Sequence, residues 1–319
     1  MFALVKQGTA TVVKNAGSHF LLSELPAWDL FPAVLKGRIR LSASGSTNPV
    51  AIGDRVSYEW AEGEPTATIT GILDRRNHLI RRSSNLSRQS HVIAANLDRA
   101  LLVTSLYFPQ AKLPFLDRQL VTCEVYGIPA TIVLNKTDLY RSEAPEQIAA
   151  FRAIYEGAGY RVIETSARTG EGIEELRALT AGELVLLSGE SGVGKSSLVH
   201  ALDPSLNPRT GQISLTHLEG RHTTSLYEMY PADLGGGRRC YIIDSPGLRG
   251  FGLVGLEREE IYKYFPEMLR ASEHCRFAPC THTHEPECGV KAALEEGSIS
   301  PERYSSYLGM LEEDTKFRQ

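Results

Sequence analysis

Two short motifs constrain the fold of this 319-residue chain more than any other feature. A glycine-rich segment at residues 189–196 follows an apolar run and precedes a helical pattern, and Asn135-Lys136-Thr137-Asp138 comes directly after a second apolar run. From residue 98 to residue 243, apolar runs alternate with helical periodicity, which predicts a parallel sheet covered by helices. In such α/β sheets the ligand-binding loops follow the carboxyl ends of the strands. Both motifs are therefore predicted to lie at that edge of the sheet.

The glycine-rich segment has the spacing of a phosphate loop, Gly-x4-Gly-Lys-Ser. Its backbone N–H groups are predicted to surround the α- and β-phosphates of a nucleotide at a helix N-terminus. Lys195 would contact the β- and γ-phosphates, and the Ser196 hydroxyl would bind Mg²⁺. The predicted nucleotide-contacting residues are Gly189, Glu190, Ser191, Gly192, Val193, Gly194, Lys195, Ser196 and Ser197.

The Asn-Lys-x-Asp motif predicts which base is bound. The Asp138 carboxylate can accept from both N1–H and the exocyclic amine of guanine, whereas adenine offers no matching pair of donors. Asn135 is predicted to tie this loop to the phosphate loop, and the Lys136 stem to lie over the purine ring. Ser166-Ala167 ends the next strand, where a backbone amide would meet guanine O6. The predicted ligand is GTP or GDP rather than ATP.

Asp244-Ser245-Pro246-Gly247 ends a further apolar strand. Asp244 is predicted to bind Mg²⁺, through water, and the Gly247 amide to contact the γ-phosphate. In ordinary small GTPases the phosphate loop precedes the base-reading motif, but here it follows it. The order predicts a circularly permuted GTPase core, with its ends freed for other domains.

The residues of hydrolysis are less evident. Many GTPases place a water-orienting Gln directly after the D-x-x-G glycine, but this chain has Leu248, which predicts slow intrinsic turnover. The segment 220–225 is interpreted as the switch loop, with Thr223 or Thr224 reaching Mg²⁺ and the γ-phosphate. We hypothesise that His222 replaces the missing Gln once a partner orders this loop; an exposed loop histidine is the alternative.

Three of the five cysteines are crowded together, and in a reducing cytosol this indicates a metal more than disulfides. Their ligand set predicts a closed, structural Zn²⁺ site, with His284 and His274 as rival nitrogen ligands. Cys123 and Cys240 are interpreted as packing residues. The four predicted zinc ligands are Cys275, Cys280, His282 and Cys288.

The first 80 residues read as about five short strands with no helical period, which predicts a small β-barrel of the OB or SH3-like kind. A basic strip, from Arg75 to Arg88, follows it and is either a solvated linker or a phosphate-contacting surface. Net charge is −4, and there is neither an apolar stretch of membrane-spanning length nor a signal pattern. A cytoplasmic monomer with no membrane partner is expected.

Taken together, the motif order and the cysteine spacing C-x4-C-x-H-x5-C resemble the RsgA family, the ribosome small-subunit-dependent GTPases. Residues 50–56, Val-Ala-Ile-Gly-Asp-Arg-Val, also resemble the barrel signature of that family. The resemblance implies an OB-type RNA-binding barrel with its basic linker at residues 1–84, a permuted GTPase at 85–254, and a zinc-binding helical domain at 255–319.

The resemblance further implies a factor that binds the 30S ribosomal subunit and 16S rRNA late in maturation and hydrolyses GTP when docked there. It favours the RNA-contact interpretation of the basic strip. Two alternatives stay open. One is a nucleotide-gated RNA-binding scaffold with little hydrolysis, which Leu248 allows. The other is a non-ribosomal GTPase or a transport-type ATPase with an RNA-binding barrel, of which the Asn-Lys-Thr-Asp motif disfavours the ATPase.

Overall fold

A computed structural model of the chain describes residues 5–37, 49–82, 90–206, 228–244 and 256–312, with backbone alone at positions 81, 82, 90, 91 and 244. Contacts divide the chain into two compact units. The first comprises Met1–Asp98, Thr180–Leu186 and Asp203–Pro246, and the second comprises Arg99–Leu179, Leu187–Leu202 and Gly247–Gln319. Within the described parts, no helix has both the length and the apolar character needed to cross a membrane.

Five strands of the first unit close into a barrel in the order β1-β2-β3-β5-β4. Strand β3 pairs parallel to β5, and the other pairs are antiparallel. This is the five-stranded Greek-key arrangement of an OB-fold, so the predicted barrel is confirmed. The strands are β1 (Val5–Ala16), β2 (His19–Ser23), β3 (Phe31–Leu35), β4 (Arg55–Ala61) and β5 (Ala67–Ile72).

Alternating residues of these strands fill the barrel, as period-2 patterning requires. Phe20 and Leu22 of β2 are buried there with Val56 and Tyr58 of β4. Among their outward neighbours Arg55 is exposed, and Leu21 and Ser57 are half-buried. The barrel therefore has a hydrophobic core of its own.

The basic strip begins with two arginines that are already paired. Arg75 donates from Nε to Asp54 Oδ1 at 2.6 Å, and the Asp54 side chain is fully buried. Arg76 pairs with Asp98 at 2.7 Å. Strands β6 (His78–Arg82) and β7 (Ser90–Ala95) then form a two-stranded antiparallel sheet. At its start, the strip is thus part of the fold rather than a solvated linker.

The motifs lie on a six-stranded sheet with the order β10-β9-β8-β11-β13-β12. Strands β8, β9 and β10 pair in parallel, and β12 and β13 pair antiparallel. These strands are β8 (Arg99–Thr104), β9 (Ala130–Leu134), β10 (Arg161–Glu164), β11 (Leu184–Gly189), β12 (Met229–Gly235) and β13 (Arg238–Asp244). The helices between them are α1 (Leu113–Val125), α2 (Pro145–Ala158), α3 (Ile173–Thr180) and α4 (Lys195–Leu202). The predicted alternation of strands and helices is confirmed.

The C-terminal part of the second unit is helical around the cysteines. A 3₁₀ segment (Arg258–Tyr264) precedes α5 (Pro266–Ser272), α6 (Gly289–Glu295) and α7 (Pro301–Glu312). One charged side chain lies in its core: Arg303, 1% exposed, donates to Glu267 at 2.7 Å and to Asp117 of α1 at 2.9 Å. Removing one partner of such a buried pair leaves an uncompensated charge. This ion pair therefore holds α7 against α1.

Candidate nucleotide and metal sites

The phosphate-loop segment joins β11 to α4 through glycines that no other residue can replace. Gly189, Gly192 and Gly194 have φ of 151°, 85° and 100°, a region that side chains disfavour. A Cβ at Gly189 would lie 2.2 Å from the Val103 carbonyl oxygen, and one at Gly194 would lie 2.3 Å from Asn135 Nδ2. The backbone thus turns sharply from strand to helix with its neighbours in close contact.

The two charged side chains of this loop, Lys195 and Glu190, already have partners within the protein. Lys195 Nζ donates to the carbonyls of Gly189 at 2.7 Å and of Glu190 at 2.9 Å. The Glu190 carboxylate in turn pairs with Lys112 at 2.9 Å. Ser196 and Ser197 follow in the first turn of α4, where backbone N–H groups have no helical partner. An ammonium group beside a helix N-terminus is an environment that favours phosphate.

Asn135 joins the base-reading loop to the phosphate loop. It follows β9, is 1% exposed, and donates from Nδ2 to the Val193 carbonyl at 2.9 Å. Its Oδ1 accepts from Thr165 Oγ1 at 3.1 Å and from the Ala167 amide at 3.3 Å. Three segments that are distant in sequence are therefore held together by one buried amide.

Lys136 makes a second link between these loops. Its backbone is left-handed, with φ of 65°. Nζ donates to the Phe108 carbonyl and, at 2.5 Å, to the Gly192 carbonyl. The aliphatic stem consequently spans from the base-reading loop to the phosphate loop, the path on which a purine ring would lie beneath it.

Asp138 has both carboxylate oxygens hydrogen-bonded. Oδ1 accepts from Ser166 Oγ at 2.6 Å, and Oδ2 accepts from Arg168 Nε at 2.7 Å. Desolvation acts to raise the pKa of Asp138, but the hydrogen bonds from Ser166 and Arg168 outweigh it and hold this pKa below its ordinary value. The carboxylate is thus ionised at neutral pH and can only accept, which suits the two adjacent donors of guanine.

Ser166 and Arg168 contact Asp138 in a way the sequence analysis did not predict. From the sequence, only a backbone amide of the Ser-Ala pair was expected at the base, as a donor to guanine O6. The amide of Ala167 lies instead 3.3 Å from Asn135 Oδ1. The sequence signal for this contact is the arginine directly after Ser-Ala, because a cation in one ligand loop can reach a carboxylate in a neighbouring loop.

Several predicted residues lie outside the described residues. These are His222, Thr223 and Thr224 of the predicted switch loop, together with Gly247 and Leu248. Asp244 ends β13, and only its backbone is described. Their assigned roles stay predictions.

The four predicted metal ligands come together in the second unit. The ligand atoms of Cys275, Cys280, His282 and Cys288 all lie within 4.8 Å of one another. His284 is exposed and its Nδ1 lies 3.0 Å from Thr283 Oγ1, so this rival histidine is not in the group. Neither is His274.

The spacing of these atoms suits a tetrahedral zinc ion. Zn–S bonds of about 2.3 Å and Zn–N bonds of about 2.0 Å place sulfurs about 3.8 Å apart and each sulfur about 3.5 Å from the nitrogen. Cys288 Sγ lies 3.9 Å from Cys275 Sγ and 3.8 Å from Cys280 Sγ. His282 Nδ1 lies 3.5 Å from Cys275 Sγ and 3.4 Å from Cys288 Sγ. The group is therefore consistent with zinc.

The remaining two cysteines do not belong to the metal group. Cys123 and Cys240 are both buried, and desolvation raises the pKa of each thiol to about 12. A thiol with so high a pKa is a poor nucleophile at neutral pH. Both residues pack in the interior, as interpreted from the sequence.

Comparison with known proteins decides the family. The sequence profile of the RsgA GTPase family matches residues 72–254, which is more than half of the chain. The chain belongs to the RsgA GTPase family. The predicted GTP hydrolase, with its permuted core, is thereby confirmed.

Full-length members of the RsgA family are also similar. A "Small ribosomal subunit biogenesis GTPase RsgA" from Bacteroides fragilis is 45% identical over 309 residues, which cover 96% of this chain and 98% of that protein. The protein of the same name from Porphyromonas gingivalis is 46% identical over 311 residues, 96% of this chain and 97% of that protein. The similarity thus includes the barrel and the cysteine cluster as well as the GTPase.

Solved structures give the same result. YjeQ from Thermotoga maritima superposes with a TM-score of 0.79 at 30% identity and covers 96% of this chain and 98% of its own. YloQ, described as a circularly permuted GTPase, has a TM-score of 0.74 at 24% identity, covers 98% of this chain and 96% of its own, and so supports the fold alone.

Proposed function

We propose that this chain hydrolyses GTP while bound to the small ribosomal subunit and assists the late maturation of that subunit. The observation that carries the proposal is the match along 96% of the chain to a protein named for small-subunit biogenesis. The geometry supports it independently, because hydrogen bonds from Asn135 and Lys136 hold the base-reading loop against the phosphate loop.

The nucleotide contacts follow from that geometry. Asp138 accepts the two guanine donors, the Lys136 stem covers the ring, and the Lys195 ammonium turns from its loop carbonyls to the β- and γ-phosphates. The backbone amides of Gly192 and Gly194 face the phosphates, because the positive φ at both glycines turns the loop. The contacts of Asp138 and Lys195 replace hydrogen bonds that these side chains make within the protein, so binding is expected to require little change in the backbone.

Mg²⁺ binding is assigned to Ser196 and Asp244. Hydroxyl and carboxylate oxygens are the hard ligands that this ion prefers, and the two residues open α4 and end β13. When bound, Mg²⁺ neutralises charge on the β- and γ-phosphates. The contribution of the protein is to hold the triphosphate and to exclude bulk water from it.

Hydrolysis also needs an oriented water molecule, for which Leu248 offers no hydrogen bond. His222 is proposed to orient it, with Thr223 or Thr224 contacting Mg²⁺ and the γ-phosphate. The ribosomal subunit would supply the ordering of this loop. Turnover is therefore expected to be slow alone and faster on the subunit.

The other parts of the chain are assigned to docking. The OB-type barrel is proposed to contact 16S rRNA, and Zn²⁺ to hold the C-terminal helices in one arrangement. Domain boundaries at 1–84, 85–254 and 255–319 are proposed, with the chain acting as a cytoplasmic monomer. A scaffold that binds RNA under nucleotide control, with little hydrolysis, is the competing function, since Leu248 is compatible with it.

GTP turnover with and without purified 30S subunits tests the proposal. We expect the subunit to raise turnover by on the order of tenfold or more, which corresponds to a barrier lower by about 1.4 kcal/mol or more. His222→Ala is expected to reduce the stimulated rate while GDP affinity stays unchanged. If 30S subunits do not stimulate GTP turnover by the wild type, although the wild type still binds them in a nucleotide-dependent way, the scaffold function would be favoured.

A further inference from the structure

We propose that Arg168 competes with the exocyclic amine of guanine for Asp138, and so sets how fast the nucleotide leaves. The inference rests on the proposed nucleotide site and adds a residue that opposes binding there. Arg168 directly follows the Ser166-Ala167 pair, in the loop after β10. It is a specificity-determining residue rather than a catalytic one.

The hydrogen bonds at Asp138 leave unequal room on its two oxygens. Each carboxylate oxygen accepts about two hydrogen bonds. Ser166 Oγ occupies one position on Oδ1 at 2.6 Å. On Oδ2, Arg168 places two donors, Nε at 2.7 Å and Nη2 at 2.5 Å. Within the described parts of the chain, Oδ1 therefore has one side-chain donor, whereas Oδ2 has two from one guanidinium group; a backbone N–H of Asp138 also donates to the carboxylate.

Guanine needs both oxygens. Its N1–H and its exocyclic amine are adjacent donors on one edge of the ring. Each can donate to one of the two oxygens of the same carboxylate. At Oδ1 the Ser166 hydroxyl is the only side-chain donor that the described residues supply, but a guanine donor that meets Oδ2 must displace at least one Arg168 nitrogen. We assign the amine of guanine to Oδ2. Hypoxanthine has N1–H and lacks the amine, so it leaves the Arg168 pair intact.

The two residues that contact Asp138 differ in how easily they move. Ser166 is fully buried, and its Oγ also accepts from the Thr169 amide at 3.1 Å. The Arg168 side chain is 72% exposed, while Asp138 is 9% exposed. Exposed ion pairs contribute little stability because water and salt screen them. Arg168 is thus the partner that yields, and Ser166 stays to orient the carboxylate.

The competition has a functional consequence. Arg168 keeps a nearly buried carboxylate paired whenever the base is absent, and it re-forms that pair as the base departs. Binding of guanine is therefore weaker, and its release faster, than the Asp138 contacts alone would give. A GTPase that must exchange nucleotide between rounds on its target gains from such a competitor.

Affinities for GDP and inosine diphosphate test this in Arg168→Ala and wild type. We expect Arg168→Ala to raise the GDP-to-IDP affinity ratio by about threefold to fivefold, the upper part of the range of an exposed ion pair, and to slow GDP release correspondingly. Arg168→Lys, with a single donor group, should lie between the two. Since both nucleotides carry the same diphosphate, the ratio cancels any general effect of removing a positive charge.

Arg161→Ala is the matched control, because Arg161 pairs with Glu175 at 2.9 Å with both side chains about half exposed. Its GDP-to-IDP ratio should equal that of the wild type. An unchanged ratio in Arg168→Ala, or a ratio that falls, would overturn the proposal. A failure of the site itself is recognised separately, because Asp138→Asn would then leave GDP binding intact.

Discussion

Asp138→Asn is expected to transfer the preference of this protein from guanosine to xanthosine diphosphate. Xanthine keeps N1–H but carries a carbonyl where guanine carries its amine. An asparagine can accept from N1–H and donate its own amide to that carbonyl, whereas against guanine its amide faces another donor. Because an unmatched buried polar pair is costly, GDP affinity should fall on the order of 100-fold or more.

Titration of guanosine and xanthosine diphosphate into the wild type and into Asp138→Asn measures this change in preference. Glu175→Gln is the control, since it removes the same charge from a half-exposed position paired with Arg161. It should leave both affinities unchanged. If Asp138→Asn binds GDP as the wild type does and does not bind xanthosine diphosphate better, the base is not read by this carboxylate.

His282→Ala is expected to cost the protein its zinc, whereas His284→Ala is not. The two histidines lie two residues apart in one loop, but only His282 presents its Nδ1 to the cysteine sulfurs. Loss of one of four ligands opens a closed site, and zinc affinity should fall on the order of 100-fold or more. Since structural zinc contributes directly to folding, the thermal midpoint should fall as well.

Zinc content after dialysis against a weak chelator, together with thermal unfolding, measures this difference. His284→Ala removes an imidazole of the same loop. This variant should retain one zinc per chain and should unfold at the wild-type thermal midpoint. Equal zinc loss in both variants would show that the loop, not the ligand set, was damaged. Full zinc in His282→Ala would exclude this histidine as a ligand.

Those parts of the fold that rest on local patterning could be predicted from the sequence. Buried-type strands and amphipathic helices differ in period, so the order of strands and helices around residues 98–243 was evident. Ligand types with restricted spacing, such as the cysteine group, were equally clear. In both cases the information lies within a few neighbouring residues.

Three strands were missed because their local pattern is weak. β6 and β7 lie in a segment dominated by arginine and serine, although Leu79 and Ile93 are buried there. β12 contains Pro231, which argues against a central strand but is tolerated because β12 lies at the end of the sheet order. Only the strand neighbours reveal that position.

Contacts between residues far apart in sequence could not be predicted. Arg303 meets Asp117, which lies 186 residues earlier, and Arg75 meets Asp54 in the barrel. Read locally, each arginine looked like a surface charge. The same holds for Arg168, whose partner Asp138 precedes it by 30 residues and two secondary-structure elements.

The central claim is that guanine is selected by Asp138 beside a phosphate loop, and calorimetric titration of the wild-type protein with GDP and ADP tests it most directly. GDP is expected to bind on the order of 1,000-fold more tightly, because adenine presents an acceptor, N1, to the Asp138 carboxylate where guanine presents its N1–H donor. Comparable affinities for the two diphosphates would contradict it.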